Sequence, residues 1–335
     1  MAKLSGKRFW ALSVLVLMFP VFPALSDIIE RFRRPLTIPF PDDRPYDPQI
    51  ATLGKMIFFD PRISGAQNMS CASCHNPSFG WEIPVDGAVG AMNTQLARHA
   101  PTVLNQAWVY PYFWDGRAET LQEQAAGPVT AKVEMNATFE EVIARLDQVE
   151  EYRSWFARLF PDEGITQNTI TLSIATYERT VVSGWSPFDR WIEGDSTAIS
   201  ESAQRGFELF VGDAQCASCH TGWNFTDNQF HDIGLATNDI GRARIAPGDV
   251  AARHAFKTPG LRNISLRAPF MHNGSVATLA DAISHYSTGG IKRPSLSPLM
   301  VDFELTEQDI KDLVAFLDTL TEETTEVPTP VLPAN

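Results

Sequence analysis

The sequence predicts a mainly α-helical protein of two domains related by duplication, with long irregular loops. The first observation is a repeat, because the five residues C-A-S-C-H stand at 71–75 and again at 216–220. The second is that a segment of the form G-x-x-x-F precedes each copy, at 54–58 and 206–210, as expected of one helix–loop unit used twice. Its glycine would let the helix approach a crossing helix closely, although helix packing alone also explains the glycine. The third is that apolar residues recur at helical spacing, whereas the period-two alternation of strands is almost absent.

Further helices are predicted between and after the two repeats. They cover residues 118–126, 138–145, 151–160, 166–182, 278–286 and 306–320. Thr138 is followed three residues later by Glu141, which is the capping-box pattern of a helix start. Residues 183–187, S-G-W-S-P, interrupt the helical pattern and mark the domain boundary. The glycine-, asparagine- and proline-rich region 221–259 is predicted to be an irregular loop.

The first 26 residues have the pattern of a secretory signal. Lys3, Lys7 and Arg8 precede an apolar run over 9–22, and the small-x-small residues A-L-S follow at 24–26. The run is short and contains prolines, which favours a cleaved signal over an uncleaved membrane anchor. We therefore expect a periplasmic protein without stable membrane insertion after cleavage.

The mature chain divides by this interpretation into three parts. Residues 27–184 form the N-terminal domain, residues 185–322 form the C-terminal domain, and residues 323–335, with three prolines, form a flexible tail. The net charge of the full chain is −13 and becomes more negative when the basic signal is removed. An acidic protein is not drawn to nucleic acid, although it could attract a basic partner protein.

Both C-A-S-C-H copies match the attachment pattern of c-type haem, C-x-x-C-H. The two cysteines form thioethers to the haem vinyl groups, and the next residue, histidine, binds the iron. A structural zinc or disulfides in an exported protein are the alternatives, but neither needs a histidine after each pair. The residues predicted to hold two covalent haems are Cys71, Cys74, His75, Cys216, Cys219 and His220.

Other segments resemble the bacterial di-haem cytochrome c peroxidase and MauG superfamily. They are R-H-A-P-T-V-L-N at 98–105, F-W-D-G-R-A at 113–118, Q-A-A-G-P at 124–128, V-E-M-N at 133–136, T-P-G-L-R-N at 258–263 and A-P-F-M-H-N-G at 268–274. The resemblance covers residues 53–320 and implies two cytochrome c-like domains with a haem in each. It also implies that the first haem reacts with hydrogen peroxide and that the second stores electrons.

The resemblance implies an open outer face at the first haem. Typical peroxidases of the family block this face with a histidine sixteen residues after the C-x-x-C-H histidine, and Ala91 stands there in this chain. Met92 is one residue off, and His99 belongs to a different matching segment. A MauG-like open haem is therefore expected, with another side chain moving in from a loop as the alternative.

The resemblance also places Glu134, Gln124 and Pro128 in the pocket where peroxide binds. A buried carboxylate can take the proton from one peroxide oxygen and deliver it to the leaving oxygen. Gln124 would hydrogen-bond peroxide or a water, and Pro128 would line the same pocket. Outside its V-E-M-N context, Glu134 would be interpreted as an ordinary surface glutamate.

The resemblance implies one ligand at the second haem and two residues that contact haem propionates. Tyr286 lies fourteen residues after His272, where typical peroxidases place a methionine on the iron and MauG has tyrosine. A phenolate favours oxidised iron, whereas a thioether raises the potential; the alternative is a helix residue that packs on the haem. His272 would hydrogen-bond a haem propionate, and Arg262 would neutralise another.

Trp114 takes the family position between the two haems, where an oxidisable indole assists electron transfer; the alternative is an ordinary core residue. The family also has a calcium between its domains, held by an asparagine side chain and backbone carbonyls. His99 takes the asparagine position and is a poor calcium ligand. The carbonyls of Arg267 and Pro269 remain available, so the sequence leaves calcium open.

Three functions are compatible with these residues. A MauG-like enzyme would react with hydrogen peroxide at the His75 haem and pass oxidising equivalents through Trp114 to the second haem, to oxidise a partner protein. A cytochrome c peroxidase would reduce peroxide to water with electrons from a small cytochrome c or cupredoxin. A plain electron-transfer cytochrome would have both haems saturated. Ala91 and Tyr286 favour the first.

Overall fold

The computed structural model describes residues 25–323 and 326–334, and it is mainly α-helical, as the sequence predicts. The predicted signal lies outside these residues except for its last two positions. The helices are α1 Leu25–Arg31, α2 Pro48–Phe59, α3 Leu121–Thr130, α4 Phe139–Asp147, α5 Glu150–Leu159, α6 Gln167–Thr180, α7 Pro187–Ile192, α8 Glu201–Val211, α9 Leu279–Ser287 and α10 Glu307–Asp318. Strands β1 Phe230–His231 and β2 Phe256–Lys257 pair antiparallel. In the part of the chain that the structure describes, no helix has both the length and the apolar character to cross a membrane.

Most helices lie within a few residues of their predicted positions, and α4 and α10 begin at capping boxes. Helix α3 differs most, since it starts and ends later than the predicted 118–126. Ala118 is held in a bridge with Tyr112, and the capping box of Thr120 and Glu123 sets the start of the helix. The sequence analysis also missed α1 and α7.

Each half of the fold is built on a close crossing of two helices at a glycine. In the first half α2 crosses α6, and a Cβ on Gly54 would lie 1.8 Å from the carbonyl oxygen of Ser173. In the second half α8 crosses α10, and a Cβ on Gly206 would lie 1.9 Å from the carbonyl oxygen of Asp312. No side chain fits at either crossing. The repeated glycine therefore permits close helix approach in both halves, as the sequence predicts.

The duplication extends into the loops, which the sequence analysis did not predict. Residues 111–116, P-Y-F-W-D-G, and 269–274, P-F-M-H-N-G, each begin with a proline after a cis peptide bond. Each segment also takes part in an isolated antiparallel bridge. Trp114 and His272 hold equivalent positions in the two loops, and their rings meet edge to face with centroids 6.5 Å apart.

The two ends of the described chain each pack on the half that is remote from them in sequence. Phe32 is 1% exposed and lies 5.0 Å, centroid to centroid, from Phe225 in the second core. Val327 and Leu332 pack against the first core. The sequence assigns the segment that contains Phe32 to the N-terminal domain and predicts a flexible tail over 323–335. In the structure Phe32 instead completes the aromatic cluster of the second core, and the tail adds apolar side chains to the first core.

Candidate haem sites

The two C-x-x-C-H copies adopt the same local structure. A single 3₁₀ turn begins at the first cysteine of each, Cys71–Ser73 and Cys216–Ser218. The histidine N–H donates back to that cysteine's carbonyl oxygen, at 3.0 and 2.9 Å. Each turn places its two cysteines and its histidine on the wall of one cavity. All four cysteines are free and are divided between two cavities, which contradicts both a disulfide pairing and one four-cysteine zinc site.

Each histidine is oriented to offer one ring nitrogen to an iron. The Nδ1 of His75 lies 3.3 Å from the carbonyl oxygen of Trp81, and the Nδ1 of His220 lies 2.9 Å from that of Phe225. With Nδ1–H donating to a carbonyl, Nε2 is the unprotonated nitrogen. Burial lowers the pKa of both imidazoles, which keeps them in the neutral form that binds metal.

The first cavity has a volume of about 470 Å³ and lies beside Cys71 and His75. Its lining includes all three residues predicted for the peroxide pocket: Gln124, Pro128 and Glu134. Helix α3 carries the first two. The chain then turns back, and the Met135 N–H donates to the Pro128 carbonyl oxygen at 3.1 Å. This turn brings Glu134 to the same cavity as Gln124.

The Glu134 carboxyl is suited to hold a proton. It is half-buried, and burial raises its pKa while the positive charge of Arg117 opposes the rise. A carboxyl whose pKa moves toward neutrality can both accept and donate a proton under working conditions.

Ala91 stands at the family's ligand position for the outer face at His75, and Met92 and His99 are its two possible substitutes. Ala91 donates its N–H to the Glu134 carbonyl oxygen at 2.7 Å and has no donor atom in its side chain. Met92 is 77% exposed. The Nε2 of His99 lies 3.0 Å from a carboxylate oxygen of Glu82. None of these side chains is therefore placed to bind an iron held by His75.

The second cavity, of about 200 Å³, lies beside Cys216 and His220. Tyr286 lines it from α9, and Met271 lines it from a loop. Tyr286 is half-buried, and burial raises the pKa of its phenol. A phenol on the wall of this cavity fits a metal-binding position, because bound iron would supply the positive charge that deprotonation requires. The neighbouring His285 instead bonds through Nε2 to the Ile233 carbonyl oxygen at 2.9 Å.

A shared wall separates the two cavities. Six residues line both of them: His99, Trp114, Lys257, Thr258, Pro259 and Arg267. Trp114 is 9% exposed, and its indole N–H donates to the His99 carbonyl oxygen at 2.8 Å. This bond fixes the ring of Trp114 in the wall between the cavities.

Comparison with known proteins matches the two halves separately and the chain as a whole. Residues 48–197 match the family model for di-haem cytochrome c peroxidase, and residues 203–321 match that for cytochrome c. The methylamine utilization protein MauG of Methylorubrum extorquens is 48% identical over 92% of this chain and 88% of that protein. The chain belongs to the di-haem cytochrome c peroxidase and MauG family. It is therefore a di-haem peroxidase-type oxidoreductase with two haem c groups.

Further relatives and solved structures of the family agree. MauG of Methylophilus methylotrophus is 45% identical over 91% of this chain and 92% of its own length. Cytochrome c551 peroxidase of Nitrosomonas europaea is 36% identical over 86% and 85%. A crystal structure of a MauG-like protein associated with microbial copper homeostasis has a TM-score of 0.81 at 32% identity, and the match covers 87% of this chain and 95% of that one.

The two predicted propionate partners, His272 and Arg262, line different cavities. His272 lines the second cavity, and its ring stacks on Phe256 with centroids 3.6 Å apart. Arg262 lines the first cavity, is 1% exposed and forms an ion pair with Asp189 at 2.8 Å. Asp189 already neutralises Arg262, yet the Nη2 of the guanidinium has no hydrogen-bond partner among the described residues. The unpaired Nη2 of Arg262 therefore fits an anionic group of a bound haem, such as a propionate.

Sequence reasoning missed two ionisable residues at these sites. Glu178 lines the first cavity, and burial raises its pKa to about 8. Lys257 lies in the wall, donates to the Pro111 carbonyl oxygen at 2.6 Å and has its pKa lowered by burial to about 7. In sequence both sit beside other polar residues, which is the pattern of a surface position. No local signal identifies them.

The expected calcium position holds a different donor set. The Arg267 guanidinium bonds to Glu82 at 2.7 Å, and the His99 imidazole bonds to the same carboxylate. Calcium takes six to eight oxygen ligands, most of them neutral or anionic. A guanidinium and an imidazole at that position do not fit it.

Proposed function

We propose that the chain is a periplasmic, MauG-like oxidoreductase that uses hydrogen peroxide at the His75 cavity to oxidise a partner protein. Oxidising equivalents would pass through Trp114 to the His220/Tyr286 cavity. The observation that carries this proposal is the shared wall, because Trp114 lines both cavities. Electrons used in a reaction at the first cavity can then be supplied from the second cavity through Trp114.

Haem iron, when bound, supplies the redox chemistry of O–O bond cleavage. The chain itself handles the proton and the orientation of peroxide. Glu134 takes the proton from one peroxide oxygen and returns it to the leaving oxygen, a role that its raised pKa supports. The Gln124 amide hydrogen-bonds peroxide, and Pro128 closes the pocket beside it.

The wall between the cavities is suited to electron transfer and not to the passage of a substrate. The buried indole of Trp114 is held by one hydrogen bond and contacts the His272 ring edge to face. An oxidisable aromatic ring fixed in this way shortens the gap that electrons must cross between the cavities. Its rigidity also limits the rearrangement that accompanies each transfer.

Tyr286 favours the MauG-like function over peroxide detoxification. It is the donor that favours oxidised iron, and it lines the second cavity. The relatives at 48% and 45% identity are named for methylamine utilization, which supports a substrate protein from that process. The signal pattern at 1–26 supports a periplasmic location, which the N-terminal residue of the exported protein would test.

A second function is supported by the 36% identical cytochrome c551 peroxidase. In that case the chain would reduce hydrogen peroxide to water with electrons from a small cytochrome c or cupredoxin. The same cavities and the same Glu134 would serve both functions, so only the identity of the electron source differs.

The test uses haem-loaded protein and hydrogen peroxide, with either a reduced small cytochrome or the product of the neighbouring gene as electron source. We expect slow oxidation of the cytochrome and a mass change in the partner protein that depends on peroxide. Rapid, continuous oxidation of the cytochrome would establish the second function instead. Failure to react with peroxide under both conditions would refute both.

A further inference from the structure

A buried cluster of three polar side chains supports the wall between the cavities. Glu82, His99 and Arg267 are 3%, 2% and 4% exposed. One oxygen of the Glu82 carboxylate accepts from Arg267 Nε at 2.9 Å and from the Thr102 N–H at 3.0 Å. The other faces His99 Nε2 at 3.0 Å. Both oxygens of the Glu82 carboxylate are therefore hydrogen-bonded within the protein.

The hydrogen-bond geometry shows how each member of the cluster is paired. Both ring nitrogens of His99 face oxygen acceptors, since Nδ1 lies 3.0 Å from the Val85 carbonyl oxygen and Nε2 faces Glu82. Arg267 is a permanent cation. One carboxylate therefore binds both a guanidinium and an imidazole.

The cluster is joined directly to the residues between the cavities. The His99 N–H donates to the His272 carbonyl oxygen at 2.8 Å, and the His99 carbonyl oxygen accepts from the Trp114 indole at 2.8 Å. Arg267 also donates to the Gly260 carbonyl oxygen at 2.7 Å, beside the shared wall. A change in the position of His99 would therefore move both rings of the Trp114–His272 pair.

We infer that Glu82, His99 and Arg267 take the place of a bound calcium, so that the wall and the communication between the haems do not depend on a metal ion. A divalent cation at this position would meet the Arg267 guanidinium, and its best potential ligand, the Glu82 carboxylate, is already bonded to both Arg267 and His99. The Arg267 guanidinium provides the positive charge that a calcium ion would otherwise provide. This inference does not depend on which electron source the enzyme uses.

The first test measures calcium in the haem-loaded wild-type protein after gel filtration in calcium-free buffer. We expect fewer than about one calcium ion in ten chains, and no change in the haem spectrum or potentials when EGTA or about 1 mM calcium is added. One tightly bound calcium per chain, whose removal changes the spectrum, would overturn the inference.

The second test separates the charge of Arg267 from its bulk. Arg267→Lys keeps a cation beside Glu82 and is expected to retain the separation between the two haem midpoint potentials. Arg267→Met has similar length without charge and should shift it. Arg62→Met, which also removes an arginine from a buried carboxylate, Asp60, but away from the wall, should leave the potentials unchanged. If Arg267→Lys and Arg267→Met show the same separation between the two haem midpoint potentials, the inference is overturned. If Arg267→Met fails to fold, the calcium measurement decides alone.

Discussion

The buried carboxyl of Glu178 should make the stability of the protein fall as pH rises. Glu178 lies on α6, is 4% exposed and lines the first cavity. Its Oε2 has no hydrogen-bond partner among the described residues. Burial raises its pKa to about 8, and the charge of Arg179 opposes the rise only in part. The folded protein therefore keeps this proton near neutral pH, whereas the unfolded chain releases it.

The sign and size of the effect follow from the two pKa values. A carboxyl with a raised pKa in the folded state stabilises that state most below its unfolded pKa, and the contribution is lost as pH rises toward the folded value. The shift from 4.5 to about 8 corresponds to about 5 kcal/mol at about 1.4 kcal/mol per pK unit. Between about pH 5 and about pH 8, Glu178 should account for a loss of about 3 kcal/mol.

The assay compares the free energies of unfolding of haem-loaded wild-type protein and Glu178→Gln at these two pH values. Glutamine keeps the shape but cannot ionise, so the variant should lose about 3 kcal/mol less than wild type over the window. Glu208→Gln, at an exposed position on α8, controls for the change in net charge. If wild type and Glu178→Gln lose the same stability, Glu178 is not a buried, proton-binding carboxyl and the reasoning fails.

Three substitutions test the assigned roles of individual side chains. Glu134→Gln should slow the reaction with peroxide about 10²-fold or more in stopped-flow measurements, and a near-normal rate would exclude proton transfer by this residue. Tyr286→Phe should change the spectrum of the haem held by His220, while an unchanged spectrum would point to Met271 or Met300 as the ligand, since both line the same cavity. Trp114→Phe should leave peroxide binding intact but uncouple the two haems in redox titration; if both haems still oxidise together, the bridge assignment is wrong.

The haem attachment residues could be predicted because the chemistry needs them side by side in sequence. Two cysteines and a histidine within five residues form one turn, so the sequence spacing alone fixes the relative positions of the three side chains. The glycine crossings at Gly54 and Gly206 were predictable for a similar reason, since the repeat is local. Glu134 and Tyr286 could be placed only through the resemblance, because nothing in a short segment tells a pocket residue from a surface one.

The residues that the sequence could not show are those whose partners are remote. Glu82 and Arg267 are 185 positions apart, and each is an ordinary charged residue in its own segment. His99 was predicted to be a poor calcium ligand, but the sequence does not reveal what stands in its place. A lone buried guanidinium would be strongly destabilising without a carboxylate. Arg267 can therefore be buried only because Glu82 lies beside it. His99 bonds to the same carboxylate, so the departure at position 99 is one part of a three-residue arrangement.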